Sequence, residues 1–232
     1  MVSAGITATA LVLLADLRPA HWGWGWNRIA FSRWQPEPAR GLRFMKTLGS
    51  GRGGGFGLMP SPSHQGVFCL FDDDDSAHAF ISTSPLVQRY RESSDECLLL
   101  TLRPASSRGS WDRVAIAAGE PVPDSAPLAA LTRASIRPRA AASFWRHAPA
   151  AQAGLADAPG CDLAIGLGEA PLFRQATFSL WRDASAMDAY ARSGAHQQAI
   201  RAAWQRNFFS ESMFVRFSPL TIQGRWKGRD YG

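Results

Sequence analysis

The sequence predicts an α+β protein in which two ferredoxin-like βαββαβ repeats pack within one chain as a dimeric-type α+β barrel. Three observations lead there. The stretch 68–90 is repeated at 178–200 without a gap, pairing Phe68 with Phe178, Leu70 with Leu180, Phe71 with Trp181, Asp73 with Asp183 and Phe80 with Tyr190. Upstream of each copy an apolar segment ends in Arg-Pro (Arg18-Pro19, Arg137-Pro138) and is followed by aromatic residues: Trp22, Trp24 and Trp26 in one case, Phe144 and Trp145 in the other. Each half then reads strand, helix, strand, strand, helix, strand, and the Pro-, Ser- and Gly-rich segment 104–127 links repeat 1–103 to repeat 128–232.

In the first repeat, Ala8–Arg18 is rich in Val and Leu, as a strand covered on both faces is. Its apolar run 8–15 is too short to span a bilayer and has no Lys or Arg before it, so it reads as a buried first strand. Strand Leu42–Leu48 runs into the glycine-rich loop 49–57, and strand Gly66–Phe71 leads to Asp72–Asp75. Those aspartates stand where a helix begins, so capping and the helix dipole explain them better than a hard cation does. Ser84-Pro85 is a cap followed by proline at the first helical position, which ends one helix and opens another before strand Glu96–Leu102. The second repeat supplies Leu128–Arg137, Asp162–Leu167 entering Gly166-Leu167-Gly168, Arg174–Trp181, a helix capped by Asp183, a further helix carrying His196, and Met213–Phe217.

With 232 residues, 46% hydrophobic content, 9 Trp and 13 Phe, the chain is folded and aromatic-rich. The net charge of +6 comes almost wholly from arginines scattered singly along both halves. No run and no recognition motif accompanies them, which excludes nucleic acid as the partner. A basic face still suits an anionic membrane surface or an acidic electron-transfer protein. Cys69, Cys97 and Cys161 are odd in number and far apart, forming neither a disulfide framework nor a zinc set and fitting a reducing cytoplasm.

Gly49-Ser50-Gly51-Arg52-Gly53-Gly54 has the letters of a dinucleotide fingerprint, but the Pro60 and Pro62 that follow cannot open the helix that would hold a pyrophosphate. The segment reads as a turning loop able to gate a pocket. The nine tryptophans either line a channel for a planar ligand or pack between sheet and helices. His21, His64, His78 and His147 lie in polar or loop-like contexts, whereas His196 shares an apolar stripe with Ala199, Ile200 and Ala203, at the place of Leu86 in the first copy. An imidazole there is a satisfied core residue or the axial ligand of a flat macrocycle.

Gly49-Ser50-Gly51-x-Gly53-x-Gly55-Phe56, AlaAlaLeuThrArgAla at 129–134, Phe144-Trp145, Gly168-Glu169-x-Pro171 and Gln175-x-ThrPheSer-x-Trp181 ahead of the His196 helix resemble the spheroidene monooxygenase family. The likeness runs from about residue 8 to Trp226. It implies an enzyme with haem b on a dimeric-type α+β barrel, placing an oxo group at C-2 of an acyclic carotenoid such as spheroidene. O2 and a reduced ferredoxin-type donor would be consumed. Carried over onto this chain, His196 is the proximal iron ligand, Thr177 and Ile200 lie beside the cofactor, and Arg133 and Gln175 are the pocket's hydrogen-bond donors, Arg133 alternatively to a haem propionate. Two rival readings are a haem protein of this fold with peroxidase-like or dehydratase chemistry on a smaller substrate, and a non-enzymatic carrier of lipophilic ligands. Peripheral membrane association and homo-oligomerisation stay open.

Overall fold

The computed structural model describes residues 8–32, 35, 37–57, 59–152, 154–170, 172–192 and 206–232, with the side chains of 147–152 left aside. The first repeat comprises β1 (Thr9–Leu17), α1 (Trp22–Phe31), β2 (Leu42–Gly51), β3 (Pro60–Phe71), α2 (Asp74–Thr83), α3 (Pro85–Ser93) and β4 (Ser94–Gly109). The second comprises β5 (Leu128–Ile136), α4 (Ala141–Gln152), β6 (Cys161–Ala170), β7 (Arg174–Trp181), α5 (Ala184–Ala191) and β8 (Phe209–Trp226), followed by the short β9 (Arg229–Asp230). The expected order strand, helix, strand, strand, helix, strand is therefore present in both halves, and the further helix expected to carry His196 lies outside the described residues. β4 and β8 are much longer than expected, and the boundary expected after residue 103 falls inside β4.

Each repeat orders its strands fourth, first, third, second, and the two sheets join into one: β4-β1-β3-β2-β6-β7-β5-β8. Pairing of β4 with β8 closes that sheet into an eight-stranded antiparallel barrel. Closure gives each of the eight strands a partner on both sides, although β2 and β6 are joined only over a short stretch. The two seams between repeats are unequal. β4 and β8 run together from Leu98 opposite Gly224 to Gly109 opposite Met213, whereas β2 meets β6 only at Gly49–Gly168 and Ser50–Leu167.

Alternation along the strands sends one set of side chains inward, where Val12, Leu14, Phe68, Leu100, Leu131, Ile165, Phe178, Val215 and Phe217 form the barrel core. The other set meets the helices. Leu11, Leu13, Val67 and Phe71 pack against Phe80, Val87 and Tyr90 in the first repeat, and Leu128, Ala130, Ala164 and Trp181 pack with Met187 in the second. The acidic run behaves as a cap: Asp73 accepts the Ser76 N–H at 2.7 Å and Asp183 accepts that of Ala186 at 2.8 Å. Ser84 does the same for Leu86 and Val87 ahead of Pro85.

A second internal correspondence closes the barrel ends. Glu96, Gly109 and Trp111 recur with identical spacing as Glu211, Gly224 and Trp226. Each long strand turns sharply at its glycine, and the tryptophan beyond it enters the interior, leaving Trp111 1% and Trp226 2% exposed. The glutamate of the opposite repeat accepts the backbone N–H groups of that turn: Glu211 those of Asp112 and Arg113, Glu96 those of Lys227 and Gly228. Only glycine fits at the bend. Gly109 (φ 84°) and Gly224 (φ 108°) are left-handed, and a Cβ would lie 2.0 Å from the Ser212 carbonyl oxygen in one case and 2.1 Å from that of Cys97 in the other. Gly109→Ala or Gly224→Ala is expected to cost about 3 kcal/mol in chemical denaturation. Gly23→Ala, on the exposed side of α1 with nothing within 4 Å of a new Cβ, is expected to gain about 0.5 kcal/mol in the same assay.

Candidate active site

Because the barrel interior is filled and its ends are stoppered, a ligand site has to lie outside the sheet. One such place exists at the narrow β2–β6 seam. There the outward positions are Gly49 on β2, Gly166 and Gly168 on β6, and Gln175 and Thr177 on β7, with Gly166 opposite Thr177 and Gly168 opposite Gln175. Three residues without side chains leave a flat backbone floor. Above it rise Trp26 and Ile29 of α1, Phe56 of the glycine-rich loop, and Leu172 of the β6–β7 turn, enclosing a cleft of ≈ 80 Å³. The loop is folded back by the Arg52 N–H on the Met59 carbonyl (2.9 Å) and lies directly on Gly166, where a Cβ would come within 2.5 Å of the Gly55 oxygen.

The equivalent face of the first repeat is full. The strand registers make Thr47, Gly49, Gln65 and Val67 the counterparts of Gly166, Gly168, Gln175 and Thr177. Gln65 is 1% exposed and accepts the Tyr90 hydroxyl at 3.0 Å, while Gly25 lets α1 sit so close that a Cβ would lie 2.3 Å from the Gln65 amide. Trp24 completes the filling, edge-on to Tyr90 with centroids 4.8 Å apart. Gln175, half-buried, borders an opening instead.

Sequence reasoning named Gln175, Thr177, Arg133, His196 and Ile200. The structure puts Gln175 and Thr177 on the same outer face of β7, with Gln175 lining the cleft and Thr177 one strand position further along, opposite Gly166. Arg133, expected beside them, is on the other side of the sheet: it pairs across the strands with Ala176 and Met213, whose side chains point inward. At 1% exposure its guanidinium is engaged by Glu211, Glu169 (3.3 Å) and Asp112 (3.6 Å), and lies over the Trp111 ring. It is therefore committed to carboxylates within the barrel. His196 and Ile200 lie outside the described residues, as does Trp204. Elsewhere, His64 faces the interior beside Asp16 and the Trp226 ring, and the His78 Nδ1 meets the Asp74 carbonyl on an exposed helix face.

For a flat apolar macrocycle these residues fit in kind. Glycine backbone gives a planar floor, Trp26, Ile29, Phe56 and Leu172 give apolar walls, and Gln175 offers one amide. Ligand pockets usually enclose about 300–1,000 Å³, so the cleft as bounded by the described residues is too small to enclose such a group whole.

No protein-family model matches the chain. A protein named spheroidene monooxygenase from Rubrivivax gelatinosus is 54% identical over 222 residues, which cover 96% of this chain and 86% of that protein. The chain belongs to the spheroidene monooxygenase family. A relative of the same name in Rhodobacter capsulatus is 36% identical over 89% of this chain and 88% of its own length. Two solved aldoxime dehydratases share the fold, with TM-scores of 0.60 and 0.59 at 8% and 10% identity, covering 94% of this chain and 81% and 83% of theirs.

In this member of the spheroidene monooxygenase family, the charged group behind the floor ties the parts of the site together. Lys46 pairs with Asp112 and with Glu169 (3.2 Å), Glu169 accepts the Trp111 indole N–H at 2.7 Å, and Arg133 bridges Glu169 to Glu211. Strands β2, β5, β6 and β8 are thus joined to the Trp111 turn. Burial tends to raise the Glu211 carboxyl, but the N–H groups of Arg113 and Asp112, the Ser110 hydroxyl and Arg133 outweigh it and hold it down at about 2. A carboxyl lowered on folding contributes stability that is complete above its ordinary value and fades as pH falls toward the folded value. Glu211→Gln is expected to cost about 3 kcal/mol at neutral pH, because Arg133 loses a buried partner. It is also expected to flatten the fall of stability between about pH 4.5 and about 2, which urea unfolding at stepped pH measures.

Proposed function

We propose that this chain is a carotenoid monooxygenase that uses haem b, O2 and a reduced ferredoxin-type donor to place an oxo group at C-2 of an acyclic carotenoid such as spheroidene. The observation that carries this reading is the 54% identity, along nearly the whole chain, to the Rubrivivax gelatinosus spheroidene monooxygenase. The glycine floor and the apolar side chains of Trp26, Ile29, Phe56 and Leu172 at the β2–β6 seam support it, since flat apolar surroundings suit a porphyrin and a hydrocarbon chain alike.

Bound haem supplies the activation of O2 and the transfer of an oxygen atom, chemistry that no side chain of this protein offers. On this reading His196 would hold the iron, and Thr177 and Ile200 would belong to the cofactor's pocket. Gln175, whose amide borders the cleft, would be the pocket's hydrogen-bond donor. Trp26, Ile29, Phe56 and Leu172 bind the polyene end by dispersion and by removal of apolar surface from water, which also keeps water from the reacting carbon. Arg133 acts from behind as a positioning residue, holding Glu169 and Glu211 and hence the strands that carry the floor.

Purified protein supplied with haem is expected to show a Soret band that His196→Ala abolishes. Gln175→Leu is expected to keep the band and lose about 100-fold in kcat. Turnover of spheroidene under ¹⁸O2 with reduced ferredoxin is expected to yield a ketone carrying the heavy label. Haem binding without carotenoid turnover, but with peroxidase or dehydratase activity on a small compound, would replace this reaction with that one. Carotenoid binding with no haem uptake would leave only a carrier.

A further inference from the structure

Large apolar side chains face solvent at the cleft and on the segments that adjoin it: Trp26 (40% exposed) and Leu172 (39%) of its lining, Phe173 (39%) next to Leu172, and Met59 (65%) where the glycine-rich loop closes on Arg52. Two of them form the tip of the β6–β7 hairpin, and that tip is held in place. The Trp145 indole donates to the Leu172 carbonyl at 3.0 Å, and the Ile136 N–H donates to the Phe173 carbonyl at 2.7 Å. Leu172 adopts a left-handed backbone (φ 72°), a conformation that a branched residue takes only when its surroundings impose it. The exposure of Leu172 and Phe173 is therefore built into the turn. Exposed Arg52 in the glycine-rich loop brings positive charge to the same rim of a chain whose net charge is +6, while Arg174 at the foot of the hairpin is paired with Glu169 and Asp112.

We infer that this rim seats on an anionic lipid bilayer, with Phe173, Leu172, Met59 and Trp26 entering the interface and Arg52 meeting lipid phosphate. Apolar tips flanked by positive charge, with tryptophan among them, have the chemistry of interfacial anchors. No helix among the described residues is long and apolar enough to cross a membrane, so contact is made by this surface. The size of the cleft gives the seat a purpose that rests on the carotenoid reading above. A cleft of ≈ 80 Å³ takes only one end of a long polyene, and C-2 is near an end. The remainder of the chain stays in the hydrocarbon, and the reacting end passes from lipid to protein without entering water.

The test measures sedimentation of the full chain with vesicles of phosphatidylcholine alone and of phosphatidylcholine mixed with phosphatidylglycerol. The wild type is expected to bind the anionic vesicles more tightly, with the difference shrinking as salt is raised. Met59→Ser with Phe173→Ser, both outside the cleft lining, is expected to weaken binding about tenfold or more. The same double variant is expected to retain wild-type turnover on carotenoid dispersed in detergent. Leu220→Ser removes an equally exposed apolar residue from β8, on the far seam of the barrel, and is expected to leave vesicle binding as it was. Equal binding of the double variant and wild type, or equal loss in Leu220→Ser, overturns the assignment. So does a double variant that binds vesicles normally but accepts electrons from ferredoxin more slowly, which makes the rim a protein-docking face. Vesicle binding is read without substrate, so a failure of the carotenoid reading shows separately, as binding without turnover.

Discussion

The clamp between each glutamate and the glycine turn of the opposite repeat is the constraint on which the rest of the molecule depends. Glu96 and Glu211 each receive two backbone N–H groups from a left-handed turn, and each turn drives a tryptophan into a barrel end. An eight-stranded barrel has an interior just wide enough for side chains to fill. With Trp111 and Trp226 added, the interior of this one is closed, and the outer faces of the sheet become the surfaces on which a site can be built.

Duplication then made the two outer faces comparable, and small substitutions set them apart. Where the first repeat has Thr47, Val67 and a buried Gln65 under Trp24 and Tyr90, the second has Gly166, Thr177 and a half-buried Gln175. Among the described residues the second face thus carries less bulk than the first, and the counterpart of α3, 195–203, lies outside them. This difference leaves the strands, their register and the barrel core unchanged. The narrow β2–β6 seam adds to the opening, because the strands that diverge beyond Gly49 and Ser50 release the glycine-rich loop on one side and the Leu172 hairpin on the other.

The charged cluster inside the barrel belongs to the same design. Lys46, Arg133 and Arg174 meet Asp112, Glu169 and Glu211 in equal number, so the buried guanidinium of Arg133 is compensated within its own surroundings. Such groups add little net stability over a well-packed apolar core, but they admit one arrangement of the strands that bear them. Here those strands carry the floor of the cleft on their other face.

Much of this was legible in the sequence: the order of elements, the caps at Asp73, Asp183 and Ser84, the buried first strand, the family, and the place of Gln175 and Thr177 on a strand. These follow from near neighbours, through alternation, capping and repeated phrases. The lengths of β4 and β8 were hidden because their far halves are half-exposed and pair with each other across the chain, which local patterning does not record. The Glu-to-Gly-to-Trp spacing was visible as a repeat, yet its meaning lay in the opposite half. By itself the sequence determined that the chain is duplicated and α+β, and which family it resembles. Tertiary structure alone decided that Arg133 faces inward and Gln175 outward, since residues on strands that alternate with period two reach opposite sides of a sheet whose closure no local signal reveals.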